Sequence, residues 1–332
     1  MSSVQTKVSR DDQDRNDRGL LRRLLANREA VLLLILVLLM GVMSTLSENF
    51  LTASNLLRTT RFFTEVGLIA LGMTLVIILA GIDLSVGSLL ALVSVTIGFS
   101  FAAGVPLPLA IVLGLVVGTL GGLFNGVVST KLGVHPLVVT LGTLALYRGL
   151  AFGISDADAV STYPDWFAYF GQYYIGLIPG QLFVFVAAVA VTWVLLARTP
   201  FGRYVYAIGA NEEAARFAGI PVARIKIATY AGTGLLVAIA ATIFTSRVSS
   251  ARADFGNGLE LDVIAAVVLG GTSIYGGVGT IPGTVLGVLI IAVLRNGLQL
   301  AGVSSTWQLF LLGVLLILAV LINEFLRRRE ES

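Results

Sequence analysis

Ten runs of apolar residues alternate with short polar stretches, near positions 30–46, 63–81, 84–103, 107–129, 137–154, 181–197, 225–246, 259–274, 281–300 and 306–325. About 20 residues of helix, rising 1.5 Å each, cross a hydrocarbon core about 30 Å thick. Lipid offers the backbone no hydrogen-bond partners, so each run is predicted to be a helix that satisfies its own N–H and C=O groups. Glycine and serine interrupt 84–103 and 259–274, the weakest helices of the set. The pattern predicts an all-α fold class, a polytopic membrane protein of about ten transmembrane helices.

Composition narrows the class further. Of 332 residues, 56% are hydrophobic and 12% charged, where a soluble domain carries about a quarter charged residues. No stretch is polar and long enough for a second soluble domain. The formal charge is +3, but Lys and Arg gather at helix ends and in short loops. Membrane orientation requires that distribution, and nucleic acid is not an expected partner. Without cysteine there is no disulfide, thiolate metal site or redox motif. The polar start does not read as a cleavable signal peptide.

Basic residues set the orientation. The N-terminal tail 1–29 holds seven basic and five acidic residues, with an amphipathic helix predicted over 20–28 at the membrane surface. The loop 198–226 carries five basic residues, and the tail 327–332 begins with Arg327, Arg328 and Arg329. All three are expected in the cytoplasm. Residues 155–181 contain Asp156, Asp158 and Asp165 but no Lys or Arg and belong outside. Ten spans across 30–326 satisfy all four placements. Gly118-Thr119, Asn125-Gly126 and Gly133-Val134 are echoed by Gly283-Thr284, Asn296-Gly297 and Gly302-Val303. The offset of five spans reverses direction, as an inverted repeat would, although glycine-rich helices also produce such matches by chance.

Local chemistry is densest in the basic loop. Asn211 is suited to cap a helix, Glu212 and Glu213 to sit at its positive end, and Glu212 to pair with Arg216 at i,i+4. Gly219 is suited to the left-handed terminal position, and Pro221 stops continuation. About two helical turns are predicted, too short to be stable alone. The segment is either an ordinary structured loop or a seat for a partner protein. Between the second and third runs, Asp83 in Gly81-Ile-Asp-Leu-Ser-Val-Gly87 either caps the next helix or faces a path through the membrane. The stretch Gly270-Gly-Thr-Ser-Ile-Tyr-Gly-Gly-Val-Gly279 lacks the Gly-Lys-Ser/Thr ending of a phosphate loop, and no such loop occurs in the chain.

Three motifs carry a family resemblance: Gly-Ile-Asp-Leu-Ser-Val-Gly-Ser at 81–88, Phe-Gly-Arg-Tyr-Val-Tyr-Ala-Ile-Gly-Ala-Asn-Glu-Glu-Ala-Ala-Arg at 201–216, and Val-Leu-Gly-Gly-Thr-Ser-Ile-Tyr-Gly-Gly at 268–277. The chain resembles the ribose, xylose, arabinose and rhamnose permeases of binding-protein-dependent importers, in the wider group of the branched-chain amino acid permeases. The likeness covers nearly all of 30–326 and runs most strongly to rhamnose and sugar-like autoinducer permeases. It implies a type II importer-like subunit of a bacterial inner membrane, both termini inside, paired with an identical or related permease. Two cytoplasmic ATPase subunits, holding the ATP and magnesium, and a periplasmic or lipid-anchored sugar-binding protein would complete the complex. Arg203, Asn211, Glu212, Glu213, Ala214, Arg216, Phe217 and Gly219 would then contact the ATPase. The chain itself would be no enzyme and hold no cofactor.

Some arginines oppose that orientation. Arg58, Arg61, Arg148, Arg247, Arg252 and Arg295 fall at the predicted outer side. Either they dock an acidic binding protein, for which Arg58, Arg61, Arg247, Arg252 and Arg295 are the candidates, or Glu65, Asp254, Glu260 and Asp262 neutralise them. Asn125 and Asn296, with Asp83, are candidates for the translocation path, although asparagines also tie helices together. His135, the single histidine, has no companion ligands, and no metal or catalytic site is expected. The mechanism expected is alternating access driven by partner ATPases. Its rival is an ion-coupled secondary transporter, which needs an ionisable relay that only Asp83 loosely supplies.

Overall fold

The computed structural model describes residues 28–330; the surface helix predicted over 20–28 and the tail before it lie outside the described residues, Arg28 and Glu29 excepted. The elements are α1 (Arg28–Leu46), α2 (Ala53–Ile78), α3 (Val86–Ala102), α4 (Leu107–Lys131), α5 (Pro136–Ser155) and α6 (Asp165–Gln172). A small antiparallel hairpin follows, β1 (Tyr174–Ile175) and β2 (Ile178–Pro179). Then come α7 (Gly180–Arg198), α8 (Pro200–Ala210), α9 (Glu212–Phe217), α10 (Val222–Val248), α11 (Leu259–Leu269), α12 (Ile281–Leu300) and α13 (Ser305–Glu330). The protein is an all-α polytopic membrane protein. Each predicted apolar run falls on a helix, and α13 continues through the first residues of the predicted C-terminal tail.

The helices differ in their fitness to cross a membrane. Among the described residues, six are long and apolar enough, or seven with the bent α2 taken as one span. The predicted run 259–274 is cut short: α11 has 11 residues, about 16 Å of helix against a core of about 30 Å. Gly270 and Gly271 end it, and Gly271, Gly276 and Gly277 all adopt positive φ. Two helices escaped prediction, α6 and α8. Thr199 caps α8, and Pro200 supplies its first turn.

Alternation of the spans gathers the connections at two ends. Residues 79–85, 199–221 and 270–280 share one end: the Gly277 N–H donates to the Ile78 carbonyl at 2.9 Å, and the Tyr206 hydroxyl to Gly279 at 2.6 Å. We call it the α9 end. At the far end, Val160 pairs with Ala251, and Asn55 and Asn296 exchange side-chain hydrogen bonds at 2.8 and 3.0 Å.

The segment 251–258 descends from the far end into the protein. A Cβ on Gly98 would meet Ala251 at 2.5 Å, and one on Gly87 the Gly256 carbonyl at 2.3 Å. Eleven residues of helix separate Gly87 and Gly98, so the segment drops about 16 Å along α3. Irregular backbone at that depth is tolerated only where protein buries it or a cavity adjoins it.

Packing centres on α10, which touches α4, α2, α3 and α6. At the α4 crossing the backbones meet directly: a Cβ on Gly122 would lie 2.1 Å from the Tyr230 carbonyl oxygen, and one on Gly234 2.2 Å from that of Gly118. Small residues are what permit such an approach in lipid, where helix association relies on close packing. The apolar helix α3 is buried almost all round, as a wholly hydrophobic core helix must be. By contrast α1, α5 and α7 leave wide apolar faces exposed. Helix α3 packs on α4 and α5, as α11 does on α12 and α13; α10 packs on α4 and α3, as α2 does on α12 and α11.

Gly234→Ala should therefore destabilise the protein by about 1–3 kcal/mol through overpacking. Gly232→Ala on the same helix, with nothing within 4 Å of its Cβ, should be neutral or stabilising. Thermal unfolding of the purified chain in detergent measures both, and equal effects would contradict the α4–α10 contact.

Candidate functional site

At the α9 end, local sequence builds a short exposed helix. The Asn211 side chain accepts from the Ala214 N–H at 2.9 Å. Gly219, with φ of 79°, closes the other end, where Gly219 and Ile220 donate to the Arg216 and Ala215 carbonyls. The helix is six residues long, shorter than the two turns the sequence suggests. Glu212 pairs with Arg216 at 3.1 Å and with Lys226 of α10. Partial burial disfavours the Glu212 charge, but Lys226 and then Arg216 outweigh it, holding its carboxyl below its ordinary 4.5. A lowered folded-state pKa means the attraction is complete above pH 4.5 and fades only as pH falls through that lower value. Phe217 is 84% exposed, and the Arg216 side chain 71%. Beside this helix lies the 270–279 loop, where Gly277 touches Ala210 and the exposed Tyr275 and Val278 sit.

Toward the far end lies a cavity of about 380 Å³ between α2, α3, α10, α11, α12 and the start of α13. Thr59, Leu90, Val288, Gln299 and Gln308 are among the residues that line it. The descending Gly256-Asn257-Gly258 forms part of its wall. Two ion pairs stand in it. Arg247 Nε donates to Glu65 at 2.8 Å, with the side chains 14% and 5% exposed. Arg295 donates to Asp262 Oδ1 at 2.5 Å.

A third polar cluster is closed. Asp83, 1% exposed, does not cap α3: its Oδ1 accepts from the Ser85 N–H at 2.9 Å and hydroxyl at 2.6 Å. Ser85 occupies the cap position, but its side chain makes no capping bond to the helix. Asn125 donates to the Ser85 hydroxyl at 2.8 Å and to Asp83 Oδ2 at 3.3 Å, and Tyr147 donates to the Gly121 carbonyl at 2.8 Å.

A family model described as branched-chain amino acid transport system / permease component matches residues 55–320. The chain belongs to this permease family. It is 45% identical over 290 residues to the ribose import permease protein RbsC of Bacillus subtilis, covering 87% of this chain and 90% of that one. With the autoinducer 2 import system permease protein LsrD of Yersinia enterocolitica it shares 41% over 320 residues, 92% and 97% of the two chains. The ribose import permease of Escherichia coli K12 is 41% identical over 298 residues, 88% and 92% of the two chains. No solved structure matches the chain.

The permease gathers some of the sequence-predicted residues and separates others. Asn211, Glu212, Glu213, Ala214, Arg216, Phe217 and Gly219 form one exposed group, and Arg203 is exposed on α8. Asp83 and Asn125 meet each other in the core, while Asn296 lies on the cavity wall some way off, tied to Asn55. Arg247, Arg252 and Arg295 pair with Glu65, Asp254 and Asp262. Arg61 lies over the Tyr174 ring at 5.3 Å, and Arg58 is exposed. Arg148 donates to the Ala253 and Phe255 carbonyls at 2.5 and 2.7 Å, pinning the descending segment. Lys226, Asn257, Gln299 and Gln308 escaped sequence reading; the turn signal Gly256-Asn257-Gly258 ahead of Glu260 and Asp262 was the available clue to the second.

Breaking one partner of a buried pair leaves an uncompensated charge, costing about 3–5 kcal/mol, whereas replacing both with apolar residues is often neutral. Glu65→Leu alone should therefore lower the unfolding temperature more than Glu65→Leu with Arg247→Met. Thermal unfolding of the three proteins in detergent decides it, and a double variant as unstable as the single would contradict the pairing.

Proposed function

We propose that this permease is the membrane subunit of an ATP-driven importer of a monosaccharide or a sugar-like autoinducer. The observation that carries the reading is α9, a fully capped helix offering a bare phenylalanine to solvent. An aromatic side chain exposed beside a ring of charges costs solubility and is the kind of anchor that dominates protein interfaces. Relatives named as ribose and autoinducer-2 import permeases supply the substrate class. On this reading α9, with Arg203 and the 270–279 loop beside it, seats a cytoplasmic ATPase subunit, two of which bind ATP and magnesium. A binding protein delivers sugar at the far end, where Arg58 is exposed, Arg61 half-buried over Tyr174 and Arg252 exposed beside Asp254. The permease works as a pair, in ten spans with both termini in the cytoplasm. The repeated packing partners of α3 and α11, and of α10 and α2, support two inverted halves.

Alternating access follows from this arrangement. ATP closes the motors; α9 moves with them, and Lys226 passes the movement to α10 through Glu212. The opposite end of α10 carries Arg247 at the cavity. Opening and closing the cavity then needs only the differential affinity of the motors for two arrangements of one rod. One feature favours the ion-coupled rival: Asp83 is buried among neutral partners, Ser85 and Asn125. A solitary chain in proteoliposomes that moved sugar along a proton or sodium gradient would establish that rival and remove the importer reading.

Phe217→Ala should weaken ATPase binding by about 2 kcal/mol or more, the scale of an interface hot spot, which is about thirtyfold or more in affinity. ATP-driven uptake should fall while membrane insertion is unchanged; full uptake would refute the seat. Cysteines placed at Ser161 and Asn211 should react with impermeant reagents from opposite faces of intact cells. Labelling from one face would overturn the orientation.

A further inference from the structure

Resting on the sugar-importer reading, we propose that the cavity between α2, α10, α11 and α12 is a binding site for a neutral monosaccharide, held within a single permease chain.

The size fits. A volume of about 380 Å³ lies near the lower end of small-ligand pockets, about 300–1,000 Å³. That is the class of a monosaccharide rather than a peptide. The charge fits as well. Glu65 and Asp262 are balanced in the wall by Arg247 and Arg295, so a ligand bearing net charge gains nothing there over one without. What the wall offers is hydrogen bonding of both senses. The Arg295–Asp262 pair is end-on, through one guanidinium nitrogen and Asp262 Oδ1, and the Arg295 side chain is 43% exposed, so the guanidinium keeps hydrogens that Asp262 does not take. A ligand acceptor in the cavity can take those hydrogens, and a hydrogen bond to a charged donor is among the stronger ones. A hydroxyl both donates and accepts. One sugar hydroxyl can accept from the exposed part of the Arg295 guanidinium while its own hydrogen, or a neighbour's, goes to a wall carboxylate. The amides of Asn257, Gln299 and Gln308 add donors and acceptors to the lining.

Apolar surface completes the set. Phe63 and Phe244 line the same space, giving the C–H face of a sugar ring something to lie against. The irregular segment 256–258 and the first turn of the half-length α11 form the wall. In secondary transporters, helices broken near the middle of the membrane hold the transported solute, and the same device is open to this chain. Weak affinity suits such a site, since tight binding would hold back a solute that must leave.

The native chain has no cysteine, which makes the test clean. Asn257→Cys and Gln308→Cys report from the cavity, and Ser161→Cys from an exposed loop. Each full-length variant is placed in lipid nanodiscs, and its rate of modification by a small charged methanethiosulfonate is measured. D-ribose, D-xylose, L-arabinose and L-rhamnose are added in turn. For a dissociation constant of about 10 mM, sugar at about 50 mM should slow both cavity thiols roughly sixfold, by simple occupancy. The loop thiol should not change, and protection at Asn257→Cys should disappear when Arg295→Gln is added. No protection by any of the four sugars overturns the site. So does equal protection by sucrose, or equal slowing at Ser161→Cys, which marks an effect of the solution. Protection in a chain that supports no ATP-driven uptake leaves the site and removes the importer reading. ATP-driven uptake without protection does the reverse.

Discussion

One helix holds the two ends of this permease to each other. Helix α10 runs from Val222 to Val248 without a break, about 40 Å. Near its start Lys226 is bonded to Glu212 of α9, and near its finish Arg247 is bonded to Glu65 at the cavity. About 32 Å of helix separates the two cations. Between them, Gly234 and the Tyr230 carbonyl lie against the backbone of α4. A helix in backbone contact with its neighbour has no soft side-chain layer to absorb displacement. It moves with α4 as one body or stays still, which is the behaviour that rocking between two arrangements requires.

The solvent explains why the ion pairs are informative. In lipid there is no hydrophobic drive between helices, and small residues and polar links do the work of association. Thr74 with Thr284, and Thr245 with Ser94, join helices at 2.7 Å each without any charge. Glu65–Arg247 and Asp262–Arg295 do something those links do not. Glu65 is buried and Arg247 nearly so, while Arg295 is 43% exposed beside a buried Asp262; a buried pair adds little net stability over apolar residues of similar volume, so the place of the first in a membrane protein calls for a use. Both pairs line the same cavity, beside the stretch of irregular backbone that descends from the far end.

How much of this could be read from residues alone depended on distance along the chain. The α9 helix was legible because its signals are local: Asn211, Glu212, Arg216, Gly219 and Pro221 act within a dozen positions. Helix α8 was not, because Gly202 and Gly209 read as loop residues. Their role is packing: a Cβ on Gly209 would lie 1.8 Å from the Ile78 carbonyl, and one on Gly202 1.9 Å from that of Leu196. Asp83 obeyed the capping pattern in sequence and departed from it in space, since Ser85 and Asn125 offered it better-buried donors. Run 259–274 was read as one span because apolar residues outnumber its glycines; the consecutive Gly270 and Gly271 decided otherwise. The misplaced arginines announced that something lay at the far end, and their carboxylate partners could be named. That Arg247 and Arg295 face one space with room left over depends on helices from both halves of the chain.

The short α11 supplies a second line between the ends. Its first turn holds Asp262 at the cavity, and its last leads through Gly270 and Gly271 into the loop whose Gly277 hydrogen-bonds Ile78 and adjoins Ala210, the residue before Asn211. A full-length span would have ended at the far surface and left the cavity without a wall. Half a span leaves an irregular segment within the membrane, which Arg148 holds through the Ala253 and Phe255 carbonyls. The two routes, α10 and α11, thus reach opposite pairs of the same cavity from the same exposed end. A displacement of α9 relative to the 270–279 loop would shift Arg247 against Asp262, and it alters the distance between the two pairs without breaking either one only where α2 follows α10 and α12 follows α11, the helices on which they pack. Access to the cavity can then change while each charge keeps its partner, which avoids the cost of an uncompensated ion at that depth.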